Sequence, residues 1–190
     1  SQEMIIGDLL DIKSLTKAIQ GCEVVYNFAG LSDLDHGLED AQLAAESNIL
    51  GSIYSLNACI AQSVKRYIYA STVYVYSEEG GFYRCSKQAC EQYIENYHTM
   101  YNLDYTILRY GSLYGPRSDF HNGIYRFITQ ALTEKKMVFR GKSDSKREFI
   151  HVEDAAEGSV EIREADNIRT SFPDFVPLMN SVGLRLEEIS

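Results

Sequence analysis

The sequence predicts an α/β fold built on a doubly wound parallel sheet. Three observations carry this prediction. Short apolar runs rich in β-branched and aromatic residues recur at 23–30 (EVVYNFAG), 64–72 (VKRYIYAST) and 103–115 (LDYTILRYGSLYG), and each reads as a buried strand. Amphipathic helical patterns separate the runs. Strand and helix alternating at this spacing favour parallel pairing, with helices on both faces of the sheet.

The elements follow in chain order. Asp11 or Ser14 is a candidate cap for a first helix, and Gly21 lies just past its end. After the first strand, Ile49, Ile53, Leu56 and Ile60 fall at i, i+4, i+7 and i+11 of a helix that Asn48 opens. After the second, Cys90, Tyr93, Ile94, Tyr97 and Tyr101 mark the apolar stripe of a helix that begins near Tyr83. The segment 115–123 (GPRSDFHNG) is a loop by composition, and 140–149 is a polar, basic turn leading into a last short strand, EFIHV. The closing stretch changes character and reads as a loop followed by a short amphipathic helix. We therefore divide the chain into a domain at 1–165 and a tail at 166–190. In sheets of this kind, ligands bind beyond the carboxyl ends of the strands, here NFAG, ASTVYVY and RYGSLYG.

Composition narrows the function classes. The 190 residues are 45% hydrophobic and 24% charged, as expected of a globular domain with a sizeable core. A net charge of −9 argues against non-specific binding to nucleic acid or to anionic membranes. No apolar run approaches the roughly 20 residues of a membrane span, and no signal peptide is visible, so a cytoplasmic location is expected. Cys22, Cys59, Cys85 and Cys90 form no C-x-x-C or zinc pattern and are expected to be buried free thiols. His36, His98, His121 and His151 show no metal spacing, so no metal site is predicted.

Tyr83 and Lys87 are four residues apart in FYRCSK, which places them on one helix face. Such a pair alone is weak evidence in a chain with 14 tyrosines. The company it keeps is more specific: NFAG, SNILGS, ASTVYVY, YRCSK, LRYGSLYGPR and REFIHVEDAA occur in that order. This ordered set resembles the extended short-chain dehydrogenase/reductase family, the NAD-dependent epimerase/dehydratases that act on nucleotide sugars. It is most similar to the UDP-glucose/galactose 4-epimerase branch, and the likeness covers roughly residues 5–160.

The resemblance implies a Rossmann-like fold, NAD as cofactor with NADP not distinguished, a UDP-sugar substrate and a homodimer formed through the helices at 48–63 and 83–100. It also implies roles. Asp8 matches the acidic residue that contacts the adenine, with Leu9 beside it. Phe28, Ala29 and Gly30 match the strand end along the cofactor. Asn48 matches the asparagine that holds the active-site helix, although a simple helix N-cap remains an alternative. Thr72 matches the residue that bonds the reacting sugar hydroxyl, Tyr83 the catalytic base and Lys87 its partner. Tyr110 counts with the cofactor residues. Ser112, Asn122 and Arg147 match substrate positions, the last holding the diphosphate unless it is only part of a surface turn.

The chemistry suits these residue types. A free tyrosine has a pKa near 10. A neighbouring ammonium, with the positive nicotinamide, would favour the phenolate, so that Tyr83 accepts a proton near neutral pH while hydride leaves the sugar carbon. In an epimerase the keto intermediate turns over and hydride returns to its other face. The related 4,6-dehydratases carry an acidic pair directly after the Ser/Thr. Here Val73 and Tyr74 follow Thr72, which favours an epimerase or a simple oxidoreductase.

Two departures from the family stand out. The 190 residues contain no G-x-x-G-x-x-G, the loop that cradles the pyrophosphate at a helix N-terminus. Relative to the family, the sequence is thus expected to be truncated at its amino end and to bind cofactor weakly. The loop between Ser77 and Tyr83 is also short. A catalytically impaired fragment, or a non-catalytic binding protein of the same fold, is the alternative reading.

Overall fold

The computed structural model describes residues 3–31, 40–135 and 148–160. Arg147, the basic turn before Glu148 and the 166–190 tail lie outside these described residues. The chain divides into two compact units, 1–155 and 156–190.

The first unit is organised on a parallel three-stranded sheet in the order β1 (Val24–Asn27), β2 (Arg66–Thr72), β3 (Asp104–Tyr110). Val24 stands opposite Arg66, and Thr72 opposite Tyr110. Because side chains alternate along a strand, Val25, Tyr67, Tyr69, Tyr105 and Ile107 share one face. That face receives the core side chains of three helical elements. Helix α1 (Ile12–Ile19) contributes Leu15 and Ile19. A helical run follows through α2 (Ala41–Ala44), a π-helical stretch (Ala45–Leu50) and α3 (Gly51–Ala61), contributing Ile49, Leu56 and Cys59. Helix α4 (Gly81–Tyr101) contributes Cys90, Ile94 and Tyr97.

Asp11 caps α1 as expected, its Oδ1 accepting from the amides of Lys13 and Ser14 at 3.1 and 3.2 Å. Asn48 does not open its helix. Asp40 does, accepting from the Leu43 amide at 2.8 Å, and the alanine-rich turns that follow propagate well before Asn48 is reached. Asn48 instead sits in the π-helical stretch, where the widened turn leaves its carbonyl to accept from the Cys90 thiol at 3.3 Å.

Three further expectations change. Strand β2 is buried almost throughout, but β1 is an edge strand, with Val24 and Tyr26 exposed. The run 103–115 is two strands. Gly111 separates β3 from β4 (Ser112–Tyr114), which pairs in parallel with β5 (Phe149–His151) in a second sheet. A Cβ on Gly111 would lie 2.8 Å from the Glu148 carbonyl oxygen, so only glycine permits this close approach. Finally, only Cys59 and Cys90 are buried, whereas Cys22 and Cys85 are exposed. All four are free thiols, and burial pushes Cys59 up to about 12. Helix α5 (Gly123–Glu134) is capped by Asn122, and α6 (Val152–Val160) follows β5, its residues 156–160 belonging to the second unit.

Among the described residues, no helix is long and apolar enough to cross a membrane, and no three His, Cys, Asp or Glu side chains cluster as a metal site would require.

Candidate active site

The apolar stripe expected for α4 is only half of its buried face. Ser86, Lys87, Cys90, Glu91 and Ile94 are buried, and so is Tyr83, while Tyr93 and Tyr101 are exposed. The helix therefore turns polar groups toward the end of β2. A buried lysine and a buried glutamate are costly unless partnered, and both are partnered here. Lys87 Nζ donates to the Ala70 carbonyl at 2.8 Å and stands 4.7 Å from the centre of the Tyr69 ring. Glu91 accepts from Ser71 Oγ at 2.5 Å and from Arg109 Nε and Nη2 at 3.0 and 2.7 Å.

Thr72, last in β2, stands beside Tyr83 in the cleft wall, and its hydroxyl acts to lower the Tyr83 pKa. Thr72 Oγ1 accepts from the Tyr74 amide at 3.3 Å, which leaves its own proton free to point at the phenol oxygen. Burial raises the Tyr83 pKa, the Thr72 hydroxyl offsets part of that rise, and Tyr74 adds to it. Lys87 Nζ is 5.8 Å from the centre of the Tyr83 ring. Burial lowers Lys87 to about 8, with Cys90 and Glu91 opposing the shift. The direct depression of Tyr83 by Lys87 that the spacing suggested is thus absent from the protein alone. Lys87 Nζ is bonded to the Ala70 carbonyl, and burial is the largest influence on Tyr83.

Asn48 reaches α4 from the π-helical stretch. Its Nδ2 donates to Ser86 Oγ at 2.8 Å, and Ser86 donates in turn to the Tyr83 carbonyl at 2.7 Å. Its Oδ1 accepts from the Leu31 amide at 2.7 Å. Gly30 makes this possible: φ is +139°, and a Cβ there would lie 2.4 Å from Asn48 Oδ1. Gly30→Ala is expected to cost about 2–4 kcal/mol, combining backbone strain with a displaced buried amide. Denaturant unfolding of the two chains checks this, and a loss below about 0.5 kcal/mol would contradict it.

The remaining candidates are spread along the strand ends. Phe28, 57% exposed, lies 6.3 Å ring to ring from Tyr110. Ala29 is anchored through its amide to Asn27 Oδ1 at 3.0 Å. Asp8 is exposed in a turn, where its carboxylate accepts from the Leu10 amide at 2.9 Å. Leu9 packs toward Gly51 instead. A cleft of about 500 Å³ brings Thr72, Tyr83, Tyr110, Ser112 and Asn122 together, and does not include Asp8, Leu9, Asn48 or Lys87 in its wall. The Asn122 amide already serves α5, its Oδ1 accepting from Tyr125 and its Nδ2 donating to the Leu113 carbonyl.

With this geometry in view, comparison with known proteins is decisive. The family model "NAD dependent epimerase/dehydratase family" matches residues 1–171. The chain belongs to the NAD-dependent epimerase/dehydratase family. A curated relative in that family, dTDP-D-glucose 4,6-dehydratase of Dictyostelium discoideum, is 25% identical over 174 residues, covering 78% of this chain and 40% of its own length. The UDP-N-acetylglucosamine 4-epimerase of Methanobrevibacter ruminantium M1, solved with UDP-N-acetylmuramic acid, superposes with a TM-score of 0.75 at 28% identity, over 82% of this chain and 56% of that one. The UDP-glucuronic acid 4-epimerase of Bacillus cereus, solved with UDP-glucuronic acid and NAD, gives 0.72 at 28%, over 81% and 53%. The fold is therefore that of the Rossmann-like epimerases. The chain spans about half the length of the relatives it matches.

Three groups escaped the sequence reading: Asn27, Glu91 and Arg109. Asn27 is buried, with Nδ2 donating to the Tyr67 hydroxyl at 2.6 Å. A polar residue inside an apolar strand run was the available signal for it. For Glu91 the signal was an acid eight residues after Tyr83, on the same helix face.

Proposed function

We propose that this chain carries the acid/base centre of an NAD-dependent nucleotide-sugar epimerase or a related oxidoreductase. The observation that carries the reading is the meeting of Thr72 and Tyr83 at the wall of one cleft, with the Lys87 ammonium fixed on the Ala70 carbonyl beside them. Tyr83 takes the proton from a sugar hydroxyl that enters the cleft. Thr72, held by the Tyr74 amide, donates to the Tyr83 oxygen and so stabilises the phenolate. Lys87 keeps a positive charge in the same buried layer.

The described residues suit one end of NAD. At the carboxyl ends of β1 and β3 stand the exposed Phe28 ring and the half-buried Tyr110, beside the short Ala29 and Gly30, with Tyr83 at hand in the cleft. Bound there, NAD would supply the hydride acceptor. Among the described residues lining the cleft, Asp119 alone bears a carboxylate, and its Oδ1 accepts from the His121 amide at 2.9 Å. Among the described residues no acid pair lines the cleft for elimination of water, which favours epimerisation or simple oxidation over dehydration. A UDP-sugar is the substrate class we assign.

Titration of NADH fluorescence, followed by absorbance at 340 nm after addition of UDP-glucose and NAD, tests the proposal. An epimerase is expected to convert the sugar nucleotide to its 4-epimer, read by chromatography, with the hydride returned and no net reduction, and a simple oxidoreductase to reduce the cofactor in step with the sugar nucleotide. Failure to bind NAD(H) at millimolar concentration would leave this chain as a non-catalytic protein of the family.

A further inference from the structure

The helix that carries Tyr83 and Lys87 presents a second row of side chains at Arg84, Gln88 and Glu91, spaced i, i+4 and i+7. None of the three is itself part of the cleft wall. Each ties down the segment that follows Thr72. Arg84 Nη1 donates to the Ser77 carbonyl at 2.5 Å, and Gln88 Nε2 donates to the Val75 carbonyl at 2.9 Å. Glu91 works through Arg109. It holds two guanidinium nitrogens and Ser71 Oγ, while Arg109 Nη1 donates to the Tyr76 hydroxyl and its guanidinium stands 4.9 Å from the centre of the Tyr76 ring. The tied stretch is one 3₁₀ turn, Val73–Tyr76, and its first peptide orients Thr72 Oγ1.

We propose that Glu91 and Arg109, with Gln88, are positioning residues that set the angle at which Thr72 meets Tyr83. A bidentate guanidinium–carboxylate pair is directional, so it fixes an orientation as well as a distance. Glu91 contacts Ser71, the residue directly before Thr72, while Arg109 reaches the turn directly after it. The two anchors bracket the threonine. The inference rests on the hydride-transfer reading proposed above.

Two measurements on the full chain test it, and they fail separately. The first is amide hydrogen exchange and needs no activity. Glu91→Gln and Gln88→Leu are each expected to speed exchange of the Tyr74 and Ser77 amides by about tenfold while leaving Ile68 and Tyr69 in β2 unchanged. Unchanged exchange at Tyr74 and Ser77, or equal acceleration at Ile68 and Tyr69, would overturn the clamp. The second is a double-mutant cycle on single-turnover reduction of NAD by UDP-glucose. Glu91→Gln is expected to slow the step roughly tenfold to a hundredfold with substrate affinity kept, since small misplacements near reacting groups have effects of this order. In a Thr72→Val background it should add nothing further, and losses that simply multiply would overturn the role. A wild-type chain that binds NAD yet shows neither reduction nor epimerisation would instead defeat the proposed function, and the exchange experiment would then decide the clamp alone.

Discussion

Tyr83→Phe is expected to slow the turnover of UDP-glucose, whether to its 4-epimer or to an oxidised product, by a factor on the order of 10³, the middle of the range for loss of a positioned acid/base group. The substitution removes one oxygen from a buried ring and keeps its packing. At most one hydrogen bond of the phenol is lost, so stability should fall by no more than about 1 kcal/mol. Binding of NADH, read from fluorescence, should change little. The split between an intact binding isotherm and a lost chemical step distinguishes the role of Tyr83 from that of a structural tyrosine. A Phe variant within about tenfold of the wild-type rate would sink the mechanism.

Lys87→Met separates stability from activity in the opposite sense. Lys87 titrates in the folded chain at about 8, against 10.5 when free. That depression corresponds to about 3 kcal/mol spent on keeping the ammonium buried. Met fills similar space without charge but leaves the Ala70 carbonyl unbonded, which costs about 1 kcal/mol or more. The variant should thus be more stable than the wild type by roughly 1–2 kcal/mol at pH 7. The sign of the pH dependence follows from the lowered value. Below pH 8 both folded and unfolded chains hold the proton and the wild type bears the full cost. Between pH 8 and 10.5 the folded chain releases a proton that the unfolded chain retains, so the wild type gains stability as pH rises. The advantage of Lys87→Met should therefore shrink across this window and vanish or reverse near its top. Urea unfolding of both chains at pH 7, 9 and 10.5 measures it, and an advantage that is independent of pH would show that Lys87 is not the buried cation described here. The variant should also lose turnover of UDP-glucose, because the charge near Tyr83 is gone.

These two residues show what a sequence can and cannot say about a site. Tyr83 and Lys87 were legible as candidates from their four-residue spacing and from the ordered strand ends around them. Their ionisation was not. Spacing suggests an ammonium that depresses a phenol, whereas the folded chain places the ammonium on the Ala70 carbonyl and surrounds the phenol with protein, so desolvation prevails. Asn48 was legible as a candidate but misplaced as a helix opener. Its work depends on Leu31 and Ser86, which are 17 and 38 residues away in sequence. The break at Gly111 was invisible because the strand pattern runs straight through it. Only the approach of the Glu148 backbone gives that glycine its meaning.

By itself the sequence determined the alternation of strands and helices, the parallel sheet, the membership in the epimerase/dehydratase family and the candidacy of Thr72, Tyr83 and Lys87. These are properties of local periodicity and ordered motifs, which short windows of sequence carry. The tertiary structure alone decided which face of α4 is buried, that Glu91 and Arg109 bracket Thr72, and in which direction Tyr83 and Lys87 are shifted. Those outcomes depend on burial and on hydrogen bonds between residues far apart in the chain, and such contacts exist only once the sheet and its helices have packed.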